Sequence, residues 1–228
     1  MKYSQYIKIH LGDISTTRLF IFCALTIFSA YTFAKHDVDE ECLAPLDGIT
    51  NQAHHTLPEL LKGVEHWKLS ANNGDAKSQY CLGSIYQKIS LYYSEKMKHW
   101  LQSSADQNYI PALIELGTAY AHGEYGFPRD PVSAGDHIAM AAMQGSALAN
   151  LLMGIWQLNG LLPINEIEAY KNLRLAVEIA KSNNDMQILA FMEHMGQMHV
   201  IQNLKEKLSK EDIKNAEKYI KEWKPIDN

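Results

Sequence analysis

Apolar residues recur along most of this chain three and four positions apart, the spacing of one face of an α-helix. SEKMKHWLQSSADQ carries Met97, Trp100, Leu101, Ser104 and Ala105 in that rhythm. VSAGDHIAMAAMQG carries Ala134, Ile138, Ala141 and Ala142, and EIEAYKNLRLAVEIAKS carries Ala169, Leu173, Ala176 and Ile179. Upstream, LPELLKGVEHWKLSANNG has Trp67 and Ala71. Downstream, SKEDIKNAEKYIKEWK has Ile213, Ala216, Ile220 and Trp223, with a charged opposite face. No long alternating run of β-branched residues competes with this pattern, so the chain is predicted to be all-α.

A second set of helices lies between these, and it repeats. GDAKSQYCLGSIY begins at Gly74, NYIPALIELGTAY at Asn108 and GSALANLLMGIWQ at Gly145, with a worn copy, NDMQILAFMEHMG, at Asn184. The starts are 34, 37 and 39 residues apart, a period that fits stacked pairs of short antiparallel helices. Gly83, Gly117 and Gly154 fall at one place in three copies. A glycine inside a helix costs about 1 kcal/mol relative to alanine. Its recurrence predicts a partner helix where the Cβ would be. Tyr86 and Tyr120, three residues on, are large apolar plugs with a polar tip. The turn HGEYGFPRDP places Gly123 and Gly126 for the reversal, Phe127 beneath it, Asp130 as an N-cap and Pro131 at the first helical position. Ser209 followed by Asp212 resembles a capping box, here at the start of a terminal capping helix.

These segments resemble the Sel-one-like repeat family, relatives of the TPR, whose pattern runs GxAxAQxxLGxxY and then GxGVxxDxxKAxxWxxKAA. The first copy, G-D-A-K-S-Q-Y-C-L-G-S-I-Y, is nearly complete. The second supplies A-L-I-E-L-G-T-A-Y and the glycine loop with Asp130 and Ala134. The third keeps Gly145, Ala147, Ala149 and Gly154. The loops after Tyr86 and at LLPIN lack the glycine pair, and the fourth copy has lost most of the pattern. The resemblance covers roughly residues 57–224. It implies a right-handed α/α superhelical solenoid of about four repeats, with a concave face lined by first helices. It also implies adaptor or scaffold roles, often in bacterial envelopes or host interaction.

The first 34 residues read differently. Lys2, Lys8 and Arg18 precede a charge-free run from Leu19 to Ala34, and Thr32 and Ala34 fit a cleavage site before Lys35. This is the pattern of a secretory signal peptide. The competing reading is an uncleaved membrane anchor, but 16 apolar residues fall short of the ~20 that span a bilayer. Cys23 has no lipobox context. Four segments follow: signal peptide 1–34, N-terminal extension 35–56, solenoid 57–224 and tail 225–228. Removing the signal lowers Lys+Arg from 21 to 18 and Asp+Glu from 26 to 25, a net charge of −7. With no basic run or Arg-rich stripe, nucleic-acid binding is not expected. Export to a periplasmic or secreted location leaves Cys42 and Cys81. The pair is read as one disulfide between the extension and the first repeat, or as two buried thiols.

Catalytic signals are sparse. HExxH, CxxC, GxSxG, SxxK and GxxxxGK[ST] are all missing. Glu40-Glu41 and Glu211-Asp212 read as solvated acids, and His54-His55 as a polar loop. In MEHMGQMH, Met192, Met195 and His199 would share one helical face, with His194 and Met198 beside them, a donor set that suits copper. Methionines replacing leucines in a worn repeat explain the same residues. No metal, cofactor or catalytic residue is therefore expected.

The expected function is protein binding. Leu148, Leu151, Leu152, Ile155 and Trp156 form an apolar stripe that either lies sandwiched between neighbouring helices or floors a groove. Together with Tyr80, Ser84, Gln87, Glu115 and Thr118 of the earlier copies, Leu148, Leu152 and Trp156 form the expected partner-binding surface for an extended or helical protein segment. No particular partner is implied, and membrane contact is expected only if the N-terminal segment stays uncleaved. Two other functions compete: a periplasmic immunity protein that neutralises a toxin, and an envelope hydrolase related to this repeat class.

Overall fold

The computed structural model describes Cys42 and residues 57–89 and 94–226. The signal peptide, most of the N-terminal extension, Glu40-Glu41 and His54-His55 lie outside the described residues. Within them the chain forms ten helices and no strand. They are α1 (Leu57–Asn72), α2 (Ala76–Ile89), α3 (Ser94–Ala105), α4 (Ile110–His122), α5 (Pro131–Met143), α6 (Ala147–Asn159), α7 (Glu166–Ser182), α8 (Met186–His194), α9 (Gln197–Lys207) and α10 (Lys210–Glu222). α1 to α9 each pack on their neighbours in sequence, most extensively within the pairs α2–α3, α4–α5 and α6–α7. This is the α/α solenoid that the repeats predict.

The repeat boundaries are set by backbone conformation. Gly74, Asn108, Gly145 and Asn184, the four residues at which the copies begin, all have left-handed backbone, with φ of 92°, 60°, 88° and 55°. Such a residue ends the preceding helix and turns the chain into the next repeat. Several following helices are capped by side chains. Ser146 Oγ accepts from Ala149 N–H at 3.1 Å, and Asp185 Oδ1 accepts from Ile188 N–H at 3.0 Å. In the long turn, Gly123 is left-handed, Phe127 is buried against Tyr120, and Asp130 accepts from Val132 and Ser133 ahead of Pro131.

The helix pairs close around the recurring glycines. A Cβ on Gly83 would lie 3.3 Å from the Leu101 backbone nitrogen on α3. On Gly117 it would lie 2.6 Å from Ile138 Cγ1 on α5, and on Gly154 2.6 Å from Leu173 Cγ on α7. Tyr120 stacks on His137 of the second helix, with centroids 5.5 Å apart. Between repeats, buried amides take over. Gln79 Nε2 donates to the Ala71 carbonyl at 3.2 Å, and Asn150 Nδ2 donates to the Ala142 carbonyl at 3.3 Å. Each adds a side-chain donor to a last-turn carbonyl that already accepts from the left-handed glycine after it, Gly74 on Ala71 at 3.1 Å and Gly145 on Ala142 at 3.0 Å.

The last helix does not extend the stack in line. α9 and α10 both pack on α7. Glu217 of α10 accepts from Tyr170 Oη at 2.5 Å and from Arg174 Nε at 3.2 Å, and Lys207 pairs with Glu166. Trp223 and Pro225 then cover Gly145, and Ile226 N–H donates to the Met143 carbonyl at 2.9 Å. Ser209 Oγ caps α10 by accepting from Asp212 N–H at 3.1 Å, as the capping box requires.

Candidate protein-binding face

The first helices α2, α4, α6 and α8 form one row in the repeat order. Along most of it the residues expected to meet a partner are turned inward. Tyr80, Ser84, Glu115, Thr118, Leu152 and Trp156 are all buried, leaving only Gln87 and Leu148 partly exposed. This corrects the expected surface, because a buried side chain offers a partner no area. Positions left open by packing inside one repeat are used by stacking between repeats. Tyr80 rests on the Tyr109 ring with centroids 5.6 Å apart, and Gln87 Nε2 donates to Glu115 Oε1 at 3.1 Å across two repeats. The α6 stripe is thus sandwiched rather than a groove floor. Trp156 is fully buried, and its indole N–H meets no acceptor among the described residues.

The same stripe reappears, open, one repeat later. With the copies aligned from Gly145 and Asn184, Leu148, Leu151, Leu152 and Ile155 of α6 correspond to Gln187, Ala190, Phe191 and His194 of α8. These four and Met186 line an open cleft of about 470 Å³. Met186 is 63% exposed there, and the lining is almost wholly apolar. Gln187, Ala190 and His194 are exposed where Leu148 is half-buried and Leu151 and Ile155 are buried in α6, while Phe191 stays buried at the floor of the cleft as Leu152 is in α6. Sequence reasoning chose the most apolar copy, which is apolar because it is enclosed. The alignment already contained the equivalent exposed row.

Met192, Met195 and His199 do not share one helical face. Gly196 is left-handed (φ 70°), and it ends α8 at His194 before α9 starts at Gln197. Met192 is buried in α8, while His199 stands exposed on α9. The helical face that would have joined them is broken. No group of three or more His, Cys, Asp or Glu side chains among the described residues is placed to hold a metal ion.

Cys42 and Cys81 form a disulfide with Cα atoms 5.2 Å apart, and both are buried. Trp67 Nε1 donates to the Cys42 carbonyl at 2.8 Å. The N-terminal extension is therefore fixed at this point to α1 and α2. No described helix is long and apolar enough to cross a membrane.

A family model described as the Sel1 repeat matches residues 98–109, 110–146 and 147–178. The last two matches begin at the first residues of α4 and α6, which puts the family's register on the helix pairs themselves. Residues 98–178 carry Sel1 repeats. Among solved structures, this Sel1 repeat chain is similar to a protective antigen present in uropathogenic Escherichia coli strains and displaying an SLR fold. The TM-score is 0.61 at 22% identity over 83% of this chain. The likeness is one of fold, and this chain spans 38% of that protein's length.

Proposed function

We propose that the chain is an exported, non-catalytic interaction module that holds an apolar segment of another protein on its row of first helices. The observation that carries this reading is the α8 face. Met186, Gln187, Ala190 and His194 stand exposed around the buried Phe191, at positions of the stripe that neighbouring repeats largely cover in α6. An apolar row on one helix face is the surface that an amphipathic or extended segment docks against. Leu148 and Gln87 extend the contact along the row.

Export is supported by two separate facts. The N-terminal 34 residues have signal-peptide character, and the buried Cys42–Cys81 disulfide belongs to the chemistry of oxidising compartments. The non-catalytic part rests on the Sel1 repeats and on the missing catalytic motifs.

The test compares immobilised wild-type chain with Ala190→Asp for capture from cell-envelope extracts. Ala190 is exposed, so the variant keeps the fold while placing a charge in the cleft. A specific protein retained by the wild type and lost from the variant is the expected result. Indistinguishable capture profiles would remove α8 from the binding face.

A further inference from the structure

We propose that α10 presents a lysine row that docks on an anionic lipid surface. Lys210, Lys214, Lys218 and Lys221 are all exposed, and they fall three and four residues apart. At 100° per residue they occupy about 80° of arc along about 17 Å of helix. None of the four makes an ion pair or hydrogen bond among the described residues.

The fold separates charge here. Residues 205–224 hold seven lysines and five acids, a local excess of two positive charges in a chain whose net charge is −5. Several of the nearby acids are already engaged. Glu217 faces α7, where it binds Tyr170 and Arg174. Asp212 accepts from Ser209 Oγ at 2.7 Å, and Glu166 takes Lys207. Glu211 and Glu222 flank the row without interrupting it.

The helix is also held rigidly. Its inner side buries Ala216 and Ile220, and its end is fastened by Trp223, Pro225 and the Ile226–Met143 hydrogen bond. A preorganised row of charge loses little freedom on docking.

Charge complementarity decides the occupant. The row is convex, with no groove or strand edge to grip a peptide backbone. Lysine ammoniums are point charges without the planar fork that arginine uses to read a carboxylate. Such a row matches a diffuse sheet of negative charge better than a shaped acidic segment, and basic rows on helices bind anionic headgroups in this way.

The experiment is co-sedimentation of the full chain with vesicles of phosphatidylcholine alone or mixed with phosphatidylglycerol, at low and high salt. Each lysine near an anionic surface is worth about fivefold in partitioning, so replacing all four by glutamine is expected to weaken binding to mixed vesicles by about 600-fold. Binding to phosphatidylcholine should be unchanged, because the substitutions alter no apolar residue. A second variant, Glu211→Gln with Glu222→Gln, should strengthen binding roughly tenfold and does not depend on the first variant folding. The proposal is overturned if wild type binds both vesicles alike, if either variant matches it, or if a soluble polyglutamate peptide binds while the vesicles do not.

Discussion

Gly117→Ala isolates the close approach on which the helix pairs depend. On propensity alone, the change in mid-helix should stabilise the chain by about 1 kcal/mol. The structure predicts the opposite sign. The new methyl would sit 2.6 Å from Ile138 Cγ1, 2.8 Å from Ile138 Cδ1 and 3.2 Å from the Ala134 carbonyl oxygen, against 3.4–4 Å for ordinary contact. Ile138 is fully buried, and the carbonyl behind it belongs to the α5 backbone, so neither can move freely. Overpacking of this kind costs ~1–3 kcal/mol, and a deficit close to 1 Å at two atoms points to the upper end. The expected net loss is about 2 kcal/mol, read from urea unfolding followed by far-UV circular dichroism. Gly135→Ala on α5 is the control. Its Cβ would meet only the tip of the Leu162 side chain, Cδ2 at 2.9 Å and Cδ1 at 4.0 Å, which is flexible, so up to about 1 kcal/mol of stabilisation is expected. Ile138→Ala should cost ~2–5 kcal/mol alone but relieve part of the Gly117→Ala penalty, with a coupling of about 1–2 kcal/mol. Stabilisation by Gly117→Ala, or additivity in the double mutant, would refute the idea that glycine recurs here to admit a neighbouring helix.

Cys42 and Cys81 lie 39 residues apart, and closing a loop of that length stabilises a chain by about 4 kcal/mol, so reductant or Cys81→Ser should lower the urea midpoint strongly. Trp156→Asp should leave little folded protein, because it places an unpaired carboxylate in the interior at a cost of at least ~4 kcal/mol, visible as lost helical signal at room temperature. The α7–α10 contact should make stability depend on pH at both ends. Burial pushes the Glu217 carboxyl up, but hydrogen bonds from Arg174 and Tyr170 and the guanidinium charge outweigh it and hold the group below its ordinary 4.5. That stabilisation is full above 4.5 and is lost as pH falls through the lower folded value, so Arg174→Ala should flatten the acid limb of a melting-temperature profile. Burial and the Glu217 carboxylate push the Tyr170 hydroxyl from 10.0 up to about 12, so its contribution is full below pH 10 and fades towards pH 12. Tyr170→Phe should remove that alkaline limb, and an unchanged profile would show that the contact does not hold α10.

Much of the architecture was legible because it is periodic. Gly83, Gly117 and Gly154 mark the helix crossings, Asp130 and Ser209 mark two helix starts, and Gly123 marks a helix end. Each acts through neighbours close in the chain, and each stands where the spacing put it. The binding face was less legible. Leu148, Leu152 and Trp156 look like an apolar docking stripe, but the same residues are what a stacked helix needs on its second side. Gly196 shows a further limit: one left-handed residue inside an apparently continuous helix separates Met192 from His199.

The sequence by itself determined that this chain is a stack of paired helices, where each repeat begins and which glycines admit a partner helix. These depend on short-range backbone preference and on a period that local residues write directly. Only the tertiary structure decided which side of each first helix remains open, that α8 carries the exposed copy of the stripe, and that α10 turns back onto α7 with its lysines outward. Those outcomes depend on contacts between residues such as Tyr170 and Glu217 or Gly145 and Pro225. Their separation in the chain carries no periodic signal, and their meeting is fixed by how the stack buries area as a whole.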